Sequence, residues 1–287
     1  MQIDVNIVNA FVDHDAGGNP AGVVLDADRL SASQKQEIAA KAALSETAFV
    51  SNSNTDTYKV EFFTPTVQIP HCGHATVATF SFLNGINRVG EGKSSKESID
   101  GSREIIIHDG SVFMEQLAPK YTEIPDLRQD VLTSLGLTED QLTFAPMRVN
   151  TGNNFVVVGV KSADVLGAIE PDQALINDIS EKLDLVGYYI FTFDVSEDGR
   201  DASARMFAPR FGIPEEAATG MAAGPLACVL FDHMGLKKDK LLIEQGAYMQ
   251  PASPSLIRVH LTLEDNKIKS LMSGGLAKKM SQIQVEI

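Results

Sequence analysis

The sequence predicts an α+β protein of two pseudo-symmetric half-domains, each a sheet curled around one central helix. Two observations carry that expectation: a repeat at about half the chain length, and two small-residue helices that are apolar nearly all round. The repeat emerges when "FFTPTVQIP" (62–70) is set against "MFAPRFGIP" (206–214). Phe63 then meets Phe207, Pro65 meets Pro209, Ile69 meets Ile213 and Pro70 meets Pro214, each at an offset of 144 residues. After a slip of three residues, "GHATVATFSFLNG" faces "GMAAGPLACVLFDHMG", with Gly73 against Gly220 and Leu83 against Leu230.

The elements recur in one order. "SASQKQEIAAKAAL" reads as a helix whose Ser31 and Gln34 form a capping box, and "SETAFV" after it reads as a strand. Their counterparts are "EPDQALINDISEKL" and "VGYYIFTF". "YKVEFFT", "EIIIHDGSVFMEQL", "NNFVVVGV" and "LIRVHLTL" carry the β-branched and aromatic content of strands. An Ile-Pro turn then leads into each small-residue helix. Ala75, Val77, Ala78, Phe80 and Phe82 in the first, and Ala222, Ala223, Leu226, Ala227 and Val229 in the second, cover more than one face. Helices of that kind are buried, wrapped by strands. The polar, Gly/Ser-rich "NRVGEGKSSKESIDGSRE" (87–104) is expected to be an exposed loop within the first half. The boundary is placed near "QLAPKYTEIPD", giving half-domains 1–118 and 119–274, with a terminal strand 275–287 able to return to the first.

Composition narrows the function classes. The chain has 24 basic and 38 acidic residues, a formal charge of −14, and no basic stripe, which argues against nucleic acid as a partner. No apolar run reaches the roughly 18 residues of a membrane span, and the N-terminus lacks the features of a secretion signal. Two cysteines, Cys72 and Cys228, are too few for a disulfide framework and fit a reducing, cytoplasmic setting.

Candidate site residues cluster at the paired turns. A glycine-rich strand-to-helix turn leaves backbone N–H groups unpaired at a helix start, where the macrodipole favours an anion such as a carboxylate. Two such turns, at Gly73 and Gly220, are expected to face one cleft between the halves and to stabilise charge developing when a proton leaves carbon. Glu46, between a helix end and an apolar strand, is the expected proton carrier, with its pKa raised by burial. The repeat places Tyr188 or Tyr189 near the matching position, so one carboxylate is expected rather than a pair. His71, Cys72 and His74 could all bind metal, but no second His/Cys cluster completes a zinc site, so none is expected. A Cys72–His74 nucleophile pair is disfavoured because residues i and i+2 are not expected to face each other there. Cys72 is left either as a buried small hydrophobe or as part of the cleft lining.

These residues also carry a family resemblance. "NAF…GGNPAGVVLD", "LSETAFV", "FFTP…CGHAT" and "RMFAPRFGIPEEAATGMAAGPLACVL" resemble the PhzF-like (phenazine biosynthesis-like) proteins of the diaminopimelate-epimerase-like superfamily. The resemblance runs from about residue 8 to about residue 250. It implies a β-barrel-like sheet around each central helix, a site between the halves, a homodimer, and catalysis without metal, flavin or pyridoxal phosphate. It also implies that Glu46 is the proton-shuttling glutamate, with Gly73, His74 and Gly220 at the two helix starts and Asn19 in a loop near the cleft. Two positions depart from the family pattern: Glu216 stands where aspartate is common, and Met221 where serine is common. The superfamily's two-thiol epimerases place a cysteine in each half; Cys72 lies near the first place, and "EEAATG" has none at the second.

The expected function is therefore a cofactor-independent isomerase or epimerase acting on a small carboxylate-bearing metabolite. Glu46, His74 and Glu216 would be catalytic, with Asn19, Cys72, Gly73, Gly220 and Met221 binding substrate. A non-enzymatic metabolite-binding or interaction protein is the alternative, and a Cys72 hydrolase a weaker one.

Overall fold

Parallel neighbouring strands need a crossover, and in this chain every crossover is a helix named by the repeat. The computed structural model describes all residues, 1–287. Its strands are β1 Gln2–Ala10, β2 Asn19–Val24, β3 Thr47–Ser51, β4 Tyr58–Phe63, β5 Gln68–Ile69, β6 Gly92–Ser98, β7 Gly101–His108, β8 Ser111–Leu117 and β9 Lys120–Glu123. They continue as β10 Leu142–Asn150, β11 Asn154–Val160, β12 Gly187–Thr192, β13 Ala202–Phe207, β14 Lys240–Gln245, β15 Ser255–Glu264, β16 Lys267–Gly275 and β17 Ala277–Glu286. The helices are α1 Ala32–Ala42, α2 Gly73–Gly85, α3 Arg128–Leu135, α4 Ala163–Gly167, α5 Gln173–Leu183 and α6 Gly220–Asp232.

The chain forms two compact units. One comprises Met1–Glu115 with Gly274–Ile287, the other Gln116–Ser273. In the first, β17 pairs with β1, and the sheet continues through β2, β3, β4, β6, β7 and β8. The β2–β3 and β4–β6 pairs are parallel, and α1 and α2 make those two crossovers. In the second, β9 pairs with β10, followed by β11, β12, β13, β14 and β15. Its parallel pairs are β11–β12 and β13–β14, crossed by α5 and α6. The two topologies match strand for strand.

Each sheet buries a crossover helix on either side. In the first unit α1 packs Ile38 and Ala39 onto Val5, Phe49, Phe63 and Val285. Its N-terminus carries the expected capping box, with Gln34 N–H donating to the Ser31 hydroxyl and Ser31 N–H to the Gln34 side chain. The helix α2 lies against β1, β2, β3 and β17 and is buried from Gly73 through Phe80, so the sheet curls around it. In the second unit α3 and α5 bury Val131, Leu132, Ile176 and Ile179 on Val156, Val158, Tyr188 and Ile190, while α6 packs against β11, β12 and β15. Both α2 and α6 span 13 residues and begin at their glycine.

Two expectations change, and a third segment gains detail. Residues 87–104 are not a loop: β6 and the start of β7 lie there, because β6 pairs with β4 on one side and β7 on the other. Its polar sequence is overridden by those ladders, and Lys96 within it is fully buried. The stretch 104–117 is two strands joined at Asp109 and Gly110, both at positive φ. Asn19 is not in a loop but opens β2, paired with Ala10; the turn before it is made by Gly17 and Gly18, at φ 62° and 82°. No helix is long and apolar enough to cross a membrane.

Candidate active site

Glu46 closes the turn from α1 into β3. Ala43 ends α1 in the left-handed region, at φ 53°, and three residues later the Glu46 carbonyl accepts the Gly22 N–H at 2.9 Å. That bond ties the turn to the parallel β2–β3 ladder and aims the buried carboxylate at the first turn of α2. There Glu46 Oε2 lies 3.2 Å from His74 Nε2. At that distance the two buried atoms are in close polar contact, outside the geometry of a well-formed hydrogen bond. The other ring nitrogen, His74 Nδ1, is 3.5 Å from Cys72 Sγ. One imidazole thus bridges a thiol and a carboxylate.

The thiol–imidazole approach overturns the expectation that Cys72 and His74 cannot meet. Cys72 is the N-cap residue of α2, extended at φ −145° and ψ 122°, and His74 is the second helical residue. The change of backbone direction at the cap brings the two side chains to the same side. Burial pushes the Cys72 thiol up, so it stays protonated and serves as the donor to Nδ1. In the neutral ring the proton then belongs on Nε2, facing Glu46, a tautomer assigned from the bonding pattern; the protonated ring adds its charge beside the carboxylate.

Glu46 also corrects its expected electrostatics. Burial raises its pKa, as its place in the sequence suggests, but the hydrogen bond and charge of His74 and a hydrogen bond from Ser45 outweigh it. The net direction is below the ordinary glutamate value of 4.5, so the carboxylate is ionised at neutral pH. The sulfur, nitrogen and oxygen atoms of Cys72, His74 and Glu46 lie within 4.8 Å of one another, and as residue types they could hold zinc. The ring, however, meets its two neighbours with opposite nitrogens, and one imidazole nitrogen binds one ion. The arrangement is a thiol–imidazole–carboxylate row in close contact, with the ring between its two neighbours. His71 belongs elsewhere, with its Nδ1 3.2 Å from Lys96 Nζ.

The first intrahelical bond of α2 runs from Thr76 N–H to Cys72 O and the Ala75 N–H turns to the Cys72 sulfur, so the Gly73 N–H lies at the helix start outside the ladder. In α6 the first bonds run from Ala222 and Ala223 to Thr219 O, which leaves the Gly220 and Met221 N–H groups outside the ladder. The Thr219 hydroxyl donates to the Glu216 carboxylate. The adjacent Glu215 is taken by Arg205 in a bidentate pair, at 2.9 and 2.8 Å. Met221 lies half-buried with its sulfur 3.4 Å from Asn153 Nδ2. The structure therefore brings Glu46, Cys72, Gly73 and His74 together in the first unit, and Glu216, Gly220 and Met221 in the second. Asn19 stands three residues before Gly22 on β2.

The asymmetry of the repeat also sharpens. Thr47 pairs with Phe63 and Tyr188 with Phe207, so Glu46 corresponds to Gly187, not to Tyr188 or Tyr189. A Cβ on Gly187 would lie 2.3 Å from Phe207 O, so no side chain fits where the first half carries its carboxylate. A separate depression of about 550 Å³ in the first unit, bounded by Asp4, Asn6, Arg29, Phe82 and Lys279 among others, contains none of the candidate residues.

A sequence profile described as "Phenazine biosynthesis-like protein" matches residues 8–281. The chain belongs to that family. Among phenazine biosynthesis-like relatives, it is 33% identical over 288 residues to the "Uncharacterized isomerase YddE" of Escherichia coli (strain K12), covering 96% of both chains. It is 34% identical over 235 residues to the trans-2,3-dihydro-3-hydroxyanthranilate isomerase of Pseudomonas chlororaphis, covering 79% of both. Its fold matches the crystal structure of a PhzF-family phenazine biosynthesis protein from Bacillus anthracis with a TM-score of 0.91, 25% identity and complete coverage of both chains. The repeated α+β halves are the pseudo-symmetric architecture of the epimerase-like folds, and the chain is an isomerase of the phenazine biosynthesis-like family.

Sequence reasoning missed several residues that shape this phenazine biosynthesis-like site. Ser45 was legible as a neighbour of Glu46. Thr219 was legible only once α6 was known to start at Gly220. Lys96 and Gln245 gave no local signal, because their contacts cross from one strand to a turn more than twenty residues away.

Proposed function

We propose that this isomerase moves a proton on a small carboxylate-bearing metabolite, with Glu46 as the acid/base group and His74 as its partner. The observation that carries the reading is the buried, ionised Glu46 held 3.2 Å from His74 beside the helix-start Gly73 N–H, which the helix does not use. That donor suits a substrate carboxylate or the negative charge that develops as carbon loses its proton. A resting carboxylate with a lowered pKa is a weak base. A substrate carboxylate at the start of α2 adds a like charge nearby and pushes the Glu46 pKa up, toward the range where proton transfer works. The His74 Nε2–H then follows the charge on Glu46, strengthening its bond to the ionised form and weakening it when Glu46 holds the proton. Glu216 and the N–H groups of Gly220 and Met221 take the recognition of a polar substituent on the substrate. Asn19 has a binding role. No step calls for a metal or organic cofactor. The chain is proposed to work as a cytoplasmic homodimer.

A thiol hydrolase is the poorer account despite the 3.5 Å contact. The Cys72 thiol is buried with its pKa pushed up, whereas a nucleophilic cysteine is held as a more exposed thiolate. The test is solvent-deuterium incorporation over a panel of small amino and hydroxy acids, trans-2,3-dihydro-3-hydroxyanthranilate included, read by mass spectrometry. Glu46→Gln is expected to lower exchange by ~10²–10⁴-fold while leaving the fold and ligand binding intact. Unchanged exchange in that variant would sink the mechanism.

A further inference from the structure

Each helix start is gripped by the strand its own crossover leads into. In the second unit the grip is Gln245, buried at the end of β14. Its Nε2 donates to Glu216 O at 2.7 Å and to Thr219 Oγ1 at 3.1 Å. Its Oε1 accepts the Thr219 N–H at 3.0 Å and the Tyr189 hydroxyl at 2.9 Å. All four hydrogen-bonding positions of one neutral amide are filled, three of them by the turn before α6 and the fourth by Tyr189 of β12.

The corresponding strand of the first unit is β6. Tyr58 pairs with Lys96 there as Ala202 pairs with Ile243, so Ser98 occupies the place of Gln245, with Lys96 two residues before it on the same face. Here the grip is charged. Lys96 Nζ donates to Ser98 Oγ at 2.8 Å and to His71 Nδ1 at 3.2 Å, and lies 4.9 Å from the Phe62 ring centroid. Ser98 Oγ donates in turn to Asp100 at 2.7 Å, and Asp100 also receives Arg103 at 2.8 and 3.1 Å. The Asp100 carboxylate stands 3.7 Å from His71 Nδ1. His71 immediately precedes Cys72, whose carbonyl accepts the first bond of α2 and whose thiol meets His74.

We propose that Lys96 is a positioning residue: by donating to His71 Nδ1 it fixes the turn at residues 70–72, and through it the Cys72 cap that starts α2 and orients His74. The catalytic purpose of the grip rests on the function proposed above; the grip itself does not. Its protonation states agree. Burial and the Lys96 charge lower His71 to about 4, so its ring is neutral and Nδ1 can accept. Burial lowers Lys96 to about 8, against Asp100 and Cys72, which favour its charge, and Arg103, which opposes it. His71, Cys72, Asp100 and Arg103 are the ionisable groups around this ammonium. A neutral lysine keeps one lone pair and a weaker donor, so the grip loosens as pH rises through about 8.

The test needs no substrate. Residue-resolved amide exchange on the full chain follows Thr76 N–H, which bonds to Cys72 O at 3.2 Å, and ¹⁵N shifts report the His71 tautomer. In the wild type, Thr76 exchange corrected for intrinsic base catalysis is expected to rise about tenfold between about pH 7 and 9, the scale of one charge-assisted hydrogen bond. His71 is expected to hold its proton on Nε2 below that range. Lys96→Met is expected to show the faster exchange already at pH 7, with no step above it and with β3 amides unchanged. A wild-type His71 whose proton sits on Nδ1, which could not accept from Lys96, would overturn the proposal whether or not the variant folds, as would unchanged Thr76 protection and His71 shifts in folded Lys96→Met. If the deuterium screen finds no substrate, that failure concerns the proposed reaction alone; where it finds one, Lys96→Met is expected to lower kcat more than it raises KM.

Discussion

At the scale of single residues, the informative quantity is the sign of the Glu46 shift. Position in the chain gave its burial, and burial alone pushes a carboxylate up. The opposing contact with His74 is 28 residues away and exists only because α2 starts where it does, so no local pattern could show it. The sign has two consequences. For stability, a glutamate held below its unfolded value of 4.5 stabilises the fold above that pH, and the contribution disappears as pH falls through the folded value. For catalysis, the free enzyme and the substrate complex should differ. The acid limb of kcat/KM, which reports the free enzyme, is expected below about pH 4.5, and that of kcat at higher pH, once a substrate carboxylate has raised Glu46. Coincident limbs would show that the substrate places no like charge beside Glu46. The thiol has a separate signature. Cys72→Ala, which leaves His74 Nδ1 without its donor, is expected to reduce turnover by up to about tenfold, the worth of one hydrogen bond of ~0.5–1.5 kcal/mol. Cys72→Ser, which keeps a donor, is expected to retain most activity; an equal loss in both would place the sulfur itself in the chemistry.

At the scale of elements, what the sequence made legible was punctuation. Gly73 and Gly220 open helices because they follow Ile-Pro turns, and Ser31 with Gln34 opens α1, since caps and turn residues act over three or four positions. β6 was not legible, because "GKSSKES" has weak strand preference and gains its structure from ladders on both sides. Asn19 was misplaced for the related reason that "GGNPAG" reads as a turn while pairing with β1 makes its last four residues, Asn19 included, a strand. The equivalence of Glu46 with Gly187 needed register, which adjacent apolar residues do not reveal. It yields a sharp expectation: Gly187→Ala sets a Cβ 2.3 Å from the Phe207 carbonyl, where backbone must move. Destabilisation of at least about 3 kcal/mol is expected, read by urea unfolding. A loss under about 1 kcal/mol would mean that β12 can shift away from β13 and that the missing carboxylate is not a steric matter.

At the scale of the whole molecule, duplication preserved a topology and let its chemistry diverge. Both units use an antiparallel pair, a helical crossover to a parallel strand, a hairpin, and a second crossover through a buried helix, so the scaffold tolerates exchange of Glu46 for Gly187 and of a charged grip for a neutral amide. The chain order nevertheless makes the units unequal in one respect. The second is a continuous segment, while the first is completed by the last strand of the chain. β17 pairs with β1 from Gln2↔Glu286 to Ala10↔Ala277, Val285 enters the core with Ile38 and Phe49, and Ser81 of α2 donates to Ala277 O at 3.3 Å. Removing residues 277–287 would leave β1 with an unpaired edge beside a core missing Val285, and would withdraw a wall from the helix that carries His74. The truncated chain is expected to melt on the order of 10 °C or more below the full chain, or to aggregate, since each kcal/mol is worth about 2–4 °C at this size. Circular dichroism on heating measures it. A truncated chain with an unchanged melting point would show that β1, β2 and α2 hold the first unit without its terminal strand, and that the return of the chain end is not what completes the fold.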